Sequence, residues 1–301
     1  MYFSATNPAM KYGGVMGESK FKVLGMIPGR YLPRTMVIRF PISISSILHD
    51  LANSNIIYPF IIKPDVGERG KDVELIGNEE QLCAYLTGKT QNLIVQEYIG
   101  NGLEFGILFY RYPGEAYGRV TSVTSKGYLT ITGNGQQTLR QLIKNEIRAV
   151  GRIDYLSGKY RANLDEIIPK GHEILLEPIG NHCRGTVFYN ANHLINQRLH
   201  HVLNSIALEI EGFFYGRFDL KVPTIEDLYD GRNIRILELN GVSSEVAHIY
   251  DPEYSLWKAY KDVFWHMKII WQIARENNRN GQPYDRLWPF LTDLKAHLTR
   301  K

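Results

Sequence analysis

Two short segments on either side of residue 228 contain the side chains most suited to catalysis or metal binding. Residues 216–219 are Gly-Arg-Phe-Asp, and residues 237–240 are Leu-Glu-Leu-Asn. Apolar residues flank both segments, so each is predicted to lie in a short buried strand. Asp219, Glu238 and Asn240 offer oxygen ligands of the kind that Mg²⁺ takes together with substrate phosphates.

A structural role is the competing interpretation of these acids. A carboxylate removed from water is costly unless a partner compensates it. Arg217 and Arg235 are close in sequence to Asp219 and Glu238, and either arginine could supply that compensation. The residues alone leave metal binding and structural pairing both open.

A lysine followed by a glycine-bearing loop suits phosphate binding. Lys63 follows the apolar run 58–62, and Gly67 and Gly70 let backbone N–H groups approach an anion where no Cβ intrudes. The spacing of a Walker loop is missing. A surface turn with solvated charges is therefore the competing interpretation.

A third segment could bind a nucleoside. Residues 96–99 (Gln-Glu-Tyr-Ile) end an apolar run, and Glu104 opens the next one. A strand end of this kind can present backbone groups to an adenine edge, and a carboxylate can accept hydrogen bonds from ribose hydroxyls. A hairpin with two exposed acids would have the same pattern.

The elements that must position these residues alternate irregularly. Hydrophobic patterning predicts strands and helices with hairpins between them, which favours an α+β fold over a regular parallel sheet. We expect two subdomains that meet near residues 98–102. The predicted strands are 58–62, 72–76, 92–99, 103–112, 119–132, 173–179, 185–190 and the two acidic segments, and the predicted helices are 18–26, 44–53, 79–86, 138–150, 193–210, 252–274 and 287–298.

Composition excludes several classes of protein. The 301 residues contain 44% hydrophobic and 22% charged residues and carry a formal net charge of +4, typical of an ordinary globular protein. This charge does not indicate a nucleic-acid groove, and no apolar run approaches the length of a membrane span. Two distant cysteines, Cys83 and Cys183, and the lack of a secretory signal favour a cytoplasmic location.

Taken in order, the four motifs resemble those of the ATP-grasp superfamily, and within it the D-alanine–D-alanine ligase-like carboxylate–amine ligases. The similarity covers residues 18–250. It implies an α+β ATP-grasp fold in which two α+β subdomains sandwich ATP. We therefore divide the chain into an N-terminal lead-in, a small lid subdomain, a large subdomain with the metal site and a C-terminal helical extension. Their boundaries are 1–35, 36–100, 101–252 and 253–301.

The resemblance also implies roles for individual residues. Arg217 matches the arginine that stabilises the acyl-phosphate and the tetrahedral intermediate, and Lys126 corresponds to a basic residue at the γ-phosphate. Two Mg²⁺ ions are implied, with Asp219, Glu238 and Asn240 as ligands. The implied ATP-binding residues are Lys20, Lys63, Gly67, Arg69, Gly70, Glu97, Tyr98, Ile99 and Glu104.

Two departures concern the substrates. Residues 67–70 replace the serine-rich lid of the D-alanine ligases. Only 19 residues precede Lys20, so the expected fold lacks a full N-terminal pre-ATP-grasp domain, and a homodimer is one way to complete the site. Arg184 could bind a substrate carboxylate in a bidentate manner, although a surface hairpin would also explain it.

The resemblance implies an enzyme that activates a carboxylate as an acyl-phosphate and joins it to the amine of an amino acid or peptide, releasing ADP and phosphate. A kinase on the same scaffold and a non-catalytic nucleotide-binding interaction protein are the alternatives. His248 is expected to be structural rather than catalytic. The aromatic residues at 254, 257, 264, 265 and 271 are expected to form core or dimer packing.

Overall fold

The computed structural model describes residues 1–68 and 70–299. Its strands pair antiparallel and alternate irregularly with helices, which confirms the predicted α+β class. The strands are β1 (Thr35–Ile38), β2 (Phe60–Pro64), β3 (Glu74–Ile76), β4 (Leu93–Glu97), β5 (Leu103–Tyr110), β6 (Arg119–Gly127), β7 (Leu129–Thr132), β8 (Glu173–Glu177), β9 (Val187–Asn190), β10 (Tyr215–Val222) and β11 (Arg235–Asn240). The helices are α1 (Lys20–Leu24), α2 (Ile44–Asn53), α3 (Glu79–Leu86), α4 (Leu139–Asn145), α5 (Ile153–Lys159), α6 (Gln197–Leu208), α7 (Ile225–Asp230), α8 (Leu256–Arg279) and α9 (Leu287–Thr299).

A first sheet, in the order β1-β4-β2-β3, packs against α2 and α3. Both helices begin with a side chain that accepts a backbone N–H: Ser43 caps α2 and Asn78 caps α3. Ile47 of α2 and Leu82 of α3 lie in the same core as Phe60 of β2. This core supports β2 and therefore the position of the residues that follow it.

A second sheet, in the order β11-β10-β5-β6-β9, supports the other side of the candidate site. Alternate residues of a strand lie on opposite faces. Phe218 and Leu220 of β10 face a core that includes Leu203 of α6. Tyr215 lies on the other face, where Ile269 of α8 covers it. Beyond Tyr215, this second face of β10 is left open for a cleft.

The predicted strand 119–132 is interrupted. β6 pairs with β9 as far as Gly127, opposite Val187, and β7 then leaves to pair with β8 in a separate sheet. A Cβ at Gly127 would lie 2.6 Å from the ring of Tyr189, so a larger residue there would require this ring to move. The prediction of one continuous strand was wrong, because partner strands rather than local patterning decide where a ladder ends.

The segment between β4 and β5, residues 98–102, connects the first sheet to the second. Two sets of side chains thus approach each other from β2 and β4 on one side and from β5, β6, β10 and β11 on the other. Core or dimer packing was expected for the aromatic residues of α8. Trp257, Phe264, Trp265 and Trp271 are exposed, so core packing was wrong for these four, and dimer packing stays a prediction.

Candidate active site

The centre of the site lies on one face of the pair β10 and β11. Asp219 lies directly opposite Glu238, and Arg217 lies directly opposite Asn240. The strand period of two residues therefore brings all four side chains to the same face. The Asn240 amide nitrogen is 3.5 Å from Asp219 Oδ2.

Arg217 forms a bidentate pair with Asp219. Its Nε donates to Oδ1 at 2.8 Å and its Nη2 donates to Oδ2 at 3.0 Å. Burial works to lower the pKa of Arg217, but the adjacent carboxylate of Asp219 outweighs burial and raises it. The structural pairing anticipated for Asp219 is thus present. Arg235 takes no part in it, because its guanidinium donates to the carbonyl oxygens of Arg30 and Ile234.

A glycine on the neighbouring strand makes room for this pair. Gly106 of β5 lies opposite Asp219 of β10. A Cβ at Gly106 would lie 3.1 Å from Asp219 Oδ1 and 3.2 Å from Arg217 Cδ. The sequence analysis missed Gly106, although a glycine within an apolar strand signals a close approach by another group.

Lys20 and Lys63 approach the same carboxylates from the other side. Lys20 forms an ion pair with Glu238. Lys63 Nζ donates to Gln96 Oε1 at 3.1 Å and to the carbonyl oxygen of Leu237 at 3.3 Å. Two segments far apart in the chain therefore converge on β11.

Asp65, a second residue that the sequence analysis missed, fixes the position of Lys20. Its Oδ1 accepts hydrogen bonds from Ser19 Oγ and from the backbone N–H of Phe21, each at 2.9 Å. Its carbonyl oxygen accepts the N–H of Lys20 at 2.9 Å. Asp65 follows β2 directly, so it ties the start of α1 to the strand that carries Lys63.

Electrostatics keep these groups charged. Burial works to raise the pKa of Glu238, but the ammonium groups of Lys20 and Lys63 outweigh burial and hold this pKa well below its ordinary value. For Lys20, burial works to lower the pKa, and the attraction of Glu238 outweighs it and raises the pKa. Burial dominates at Lys63 and lowers its pKa to about 8.

A second charged cluster surrounds Glu104. This buried carboxylate accepts hydrogen bonds from Lys126 Nζ at 2.8 Å and from the Tyr128 hydroxyl at 2.5 Å. Lys126 Nζ also lies 3.9 Å from Asp219 Oδ2, so it joins the two clusters. Lys221, which the sequence analysis missed, lies 3.9 Å from Glu104 and donates to the carbonyl oxygen of Ile99 at 2.7 Å. Lys221 follows Asp219 by two residues on a buried strand, and this position could have indicated that its side chain faces the same cleft.

The remaining predicted nucleotide-binding residues lie at the edge of the same cleft. The Glu97 carboxylate accepts the backbone N–H of Arg34 at 3.1 Å. In the loop after β2, Glu68 Oε1 lies 3.1 Å from Nε2 of His297 in α9. Arg69 lies outside the described residues.

A cavity of about 470 Å³ between the two sheets brings the predicted residues together. Arg184 is the exception among the described ones, because its guanidinium lies 3.2 Å from Glu74 and 3.5 Å from Glu177 and faces a separate cavity. The predicted site residues that line the main cavity are Lys20, Lys63, Gly67, Gly70, Glu97, Tyr98, Ile99, Glu104, Lys126, Arg217, Asp219, Glu238 and Asn240.

The ligand set of the cleft fits a magnesium ion only when a substrate supplies further oxygens. In residues 1–68 and 70–299, no group of three or more His, Cys, Asp or Glu side chains is arranged to hold a metal ion. Asp219 and Glu238 contribute two carboxylates, and Asn240 contributes an amide oxygen. Mg²⁺ is usually held by one or two carboxylates together with substrate phosphates, so these donors fit a nucleotide-dependent ion.

Polar residues outside the predicted set also line the main cavity. Asn181, His182 and Glu245 line it. Tyr250 stacks on His182 with ring centroids 5.5 Å apart. Burial and a hydrogen bond with Glu245 raise the pKa of Tyr250 to about 12.

His248 has partners on both ring nitrogens. Its Nδ1 lies 2.8 Å from Ser122 Oγ, and its Nε2 lies 3.2 Å from Asp262 Oδ2. It does not line the main cavity. These contacts agree with the structural role expected from the sequence.

Comparisons with known proteins were made on sequence and on structure. No protein-family model and no curated protein matches the chain. Among solved structures, the chain is similar to a bifunctional glutathione synthetase from Pasteurella multocida, with 15% identity over 86% of this chain and 38% of that one and a TM-score of 0.43. It is also similar to a D-alanine–D-alanine ligase from Bacillus anthracis complexed with ATP, with 13% identity over 90% of this chain and 69% of that one and a TM-score of 0.45.

A third similar structure is the VanG D-Ala:D-Ser ligase from Enterococcus faecalis, with 12% identity over 88% of this chain and 62% of that one and a TM-score of 0.47. The chain thus spans little more than a third of the glutathione synthetase and about two thirds of the two ligases. Since these TM-scores are below 0.5, the function of this chain has to be inferred from its own site.

Proposed function

We propose that the protein is an ATP-dependent ligase of the ATP-grasp type that joins a carboxylate to an amine. The observation that carries the proposal is the convergence in one cleft of Asp219, Glu238 and Asn240 with the lysines at 20, 63 and 126. A concentration of cations beside two buried acids is the arrangement needed to hold a metal-bound triphosphate during phosphoryl transfer.

ATP would lie between the two sheets. The backbone at residues 97–99 would hold the adenine, Glu104 the ribose and Lys63 the α- and β-phosphates. The loop at residues 67–70 would cover the phosphates. The Ile99 carbonyl oxygen accepts from Lys221, and its second lone pair would remain for the adenine edge.

Asp219, Glu238 and Asn240 would hold Mg²⁺, which supplies positive charge at the phosphate oxygens when bound. In the structure, Lys20 forms an ion pair with Glu238. This ion pair would break when Glu238 binds the metal ion. Lys20 would then be free to contact phosphate. Arg217 would similarly exchange part of its bidentate contact with Asp219 for the reacting oxygens.

The proposed reaction has two steps, phosphorylation of the carboxylate and attack by the amine. A carboxylate oxygen attacks the γ-phosphorus of ATP, the bond to the β-phosphate oxygen breaks, and ADP leaves. The amine nitrogen then attacks the acyl carbon, inorganic phosphate leaves, and the nitrogen loses a proton. Arg217 would stabilise the negative charge on the acyl oxygen, and the closed loop would exclude water that could hydrolyse the acyl-phosphate.

The acid and the amine would bind in the main cavity, near Asn181, His182 and Glu245. Glu245 is a carboxylate suited to the ammonium group of an amino acid or peptide. Arg184 would take no part in substrate binding, since its guanidinium is paired with Glu74 and Glu177. A cytoplasmic location and a homodimer stay predictions.

The test is incubation with ATP, Mg²⁺ and pools of amino acids and peptides. The proposal expects ADP, phosphate and a new amide, and each should depend on both the carboxylate and the amine pool. Formation of AMP would contradict it. ADP with a stable phosphorylated product and no amine dependence would indicate a kinase, and thermal stabilisation by ATP without any turnover would indicate a nucleotide-binding protein.

A further inference from the structure

Helix α8 presents an apolar ridge to solvent. Trp257, Tyr260, Phe264, Met267 and Trp271 are exposed to 84%, 54%, 66%, 49% and 43%, respectively. Their spacing of three and four residues keeps them on one side of the helix. We call these five residues the aromatic ridge. The opposite side of α8, which includes Ile269 and Ile273, packs on the second sheet.

The aromatic ridge is comparable in area to the largest apolar patch of a typical monomeric protein. An aromatic side chain offers roughly 150–250 Å² of surface, so five large side chains exposed by about half or more present on the order of 500 Å². The largest apolar patch on a monomeric protein is typically about 300–600 Å² and often functional. The ridge is therefore a candidate interaction surface.

A row of basic residues runs beside the ridge. Lys258, Lys261, Lys268 and Arg275 are all exposed. Within the part of the chain that the structure describes, none of them forms an ion pair with an acid. Arg275 instead lies over the ring of Trp271, with its guanidinium carbon 5.1 Å from the ring centroid. We call these four residues the basic row.

The acids of α8 do not neutralise the basic row. Asp262 is turned inward, where its Oδ2 accepts from the Tyr254 hydroxyl at 2.6 Å and lies 3.2 Å from His248. Glu276 is the other acid of the helix, and it is partly buried near its end. Among the charged residues of α8, the exposed ones beside the aromatic ridge are therefore positive.

We propose that α8 docks on the surface of an anionic lipid bilayer, with the aromatic ridge inserted at the level of the headgroups and the basic row against anionic lipid. Tryptophan and tyrosine side chains are favoured at this depth because their rings are amphipathic. Surface-lying helices combine such residues with lysine and arginine. No helix in residues 1–68 and 70–299 has the length and apolar character to cross a bilayer, so the contact is peripheral.

Charge decides between lipid and a second copy of the chain. In an antiparallel two-fold pair of α8 helices, each basic row would face the same row of its partner, because the two-fold axis places both rows on one side. In a parallel pair the rows would separate, but the partner's ridge would bring no acid to neutralise them. A convex ridge also needs no preformed groove when the partner is a fluid bilayer.

The test is co-sedimentation with vesicles of phosphatidylcholine alone and of phosphatidylcholine with 30% phosphatidylglycerol. All four tryptophans, at residues 257, 265, 271 and 288, lie in α8 and α9. Tryptophan emission therefore gives a second readout, and a blue shift is expected on binding. Binding should need the anionic lipid and should weaken in 0.5 M NaCl, which screens surface charge.

Two double variants test the basic row and the aromatic ridge separately, and a third double variant is the matched control. K261E/K268E should bind anionic vesicles about 20-fold more weakly. Each basic residue near the membrane surface contributes about 1 kcal/mol to binding, and about 1.4 kcal/mol corresponds to a tenfold change in affinity. W257S/W271S should weaken binding and reduce the blue shift. K144E/K170E, which reverses two exposed charges outside α8, should bind like the unaltered chain.

Three outcomes would overturn the proposal. The first is no anionic-vesicle binding by the unaltered chain. The second is a concentration-dependent dimer in analytical ultracentrifugation that W257S/W271S abolishes, without vesicle binding, which would assign the ridge to a second copy. The third is equal loss of binding in K144E/K170E and K261E/K268E, which would show a net-charge effect rather than a surface on α8.

Discussion

Replacing Arg217 by alanine should cost the folded state much more than replacing Arg235, although both arginines are close to the acidic strands. Arg217→Ala removes the two hydrogen bonds, 2.8 Å and 3.0 Å long, that neutralise the Asp219 carboxylate. Asp219 is 5% exposed, and among residues 1–68 and 70–299 it would keep Lys126 at 3.9 Å and the Asn240 amide at 3.5 Å. Leaving a buried charge unpaired costs about 3–5 kcal/mol. With these two remaining partners, we expect the free energy of unfolding to fall by about 3 kcal/mol, the lower end of that range.

Arg235→Ala is the matched control. Its guanidinium donates to the carbonyl oxygens of Arg30 and Ile234, at 3.2 Å and 3.1 Å, and neutralises no carboxylate. Because a neutral hydrogen bond contributes about 1 kcal/mol or less when its acceptor regains water, the loss should stay below about 1 kcal/mol.

The measurement is equilibrium urea unfolding of both variants without nucleotide or Mg²⁺. Under the proposed function, Arg217→Ala should also lower the rate of amide formation by about 100- to 1000-fold, as deletions of comparable charge stabilisers do. Substitutions at the surface usually change the free energy of unfolding by less than about 0.5 kcal/mol. If the free energies of unfolding of the two variants differ by no more than that, the pairing of Arg217 with Asp219 does not stabilise the folded state and the prediction is wrong.

Three further predictions concern the support of the site. Gly106→Ala should destabilise the protein by about 1–3 kcal/mol, because its Cβ would lie 3.1 Å from Asp219 Oδ1; a wild-type urea midpoint would contradict this. Asp65→Ala should weaken ATP binding in isothermal titration, since the 2.9 Å bonds that place Lys20 are lost; unchanged affinity would refute that link. Burial lowers the pKa of His266 from 6.5 to about 4, so the folded state binds fewer protons than the unfolded state between these pH values. The free energy of unfolding should therefore fall by about 3 kcal/mol as pH drops from 6.5 to 4, and His266→Asn should lack this part of the pH dependence.

The candidate site was predictable in its chemistry because its residues stand in recognisable local patterns. The acids at 219 and 238 lie in apolar strands, and Lys63 follows an apolar run before a glycine loop. The supporting residues were less visible. Asp65, Gly106 and Lys221 act through partners that are distant in sequence. The glycine within an apolar strand and the lysine two residues after Asp219 were weak local signals that did not identify these partners.

Arg184 illustrates how local patterning misleads. Between two apolar runs it has the appearance of an exposed residue free to bind a carboxylate, and the structure buries it between Glu74 and Glu177 instead. Glu74 is 110 residues away in the chain. An arginine is attracted to whichever carboxylate the fold brings close, and sequence separation carries no information about that choice.

The sequence by itself determined the residue types of the cleft, the order of its motifs and the α+β class, because these depend on local hydrophobic period and on side-chain chemistry. Only the tertiary structure decided which charges meet. The register of β10 against β11 brings Asp219 opposite Glu238, and the docking of α1 on the end of β2 brings Lys20 to Glu238. Register and docking are set by packing over the whole molecule, which is why the pairing of Lys20 with Glu238 could not be inferred from the neighbours of either residue.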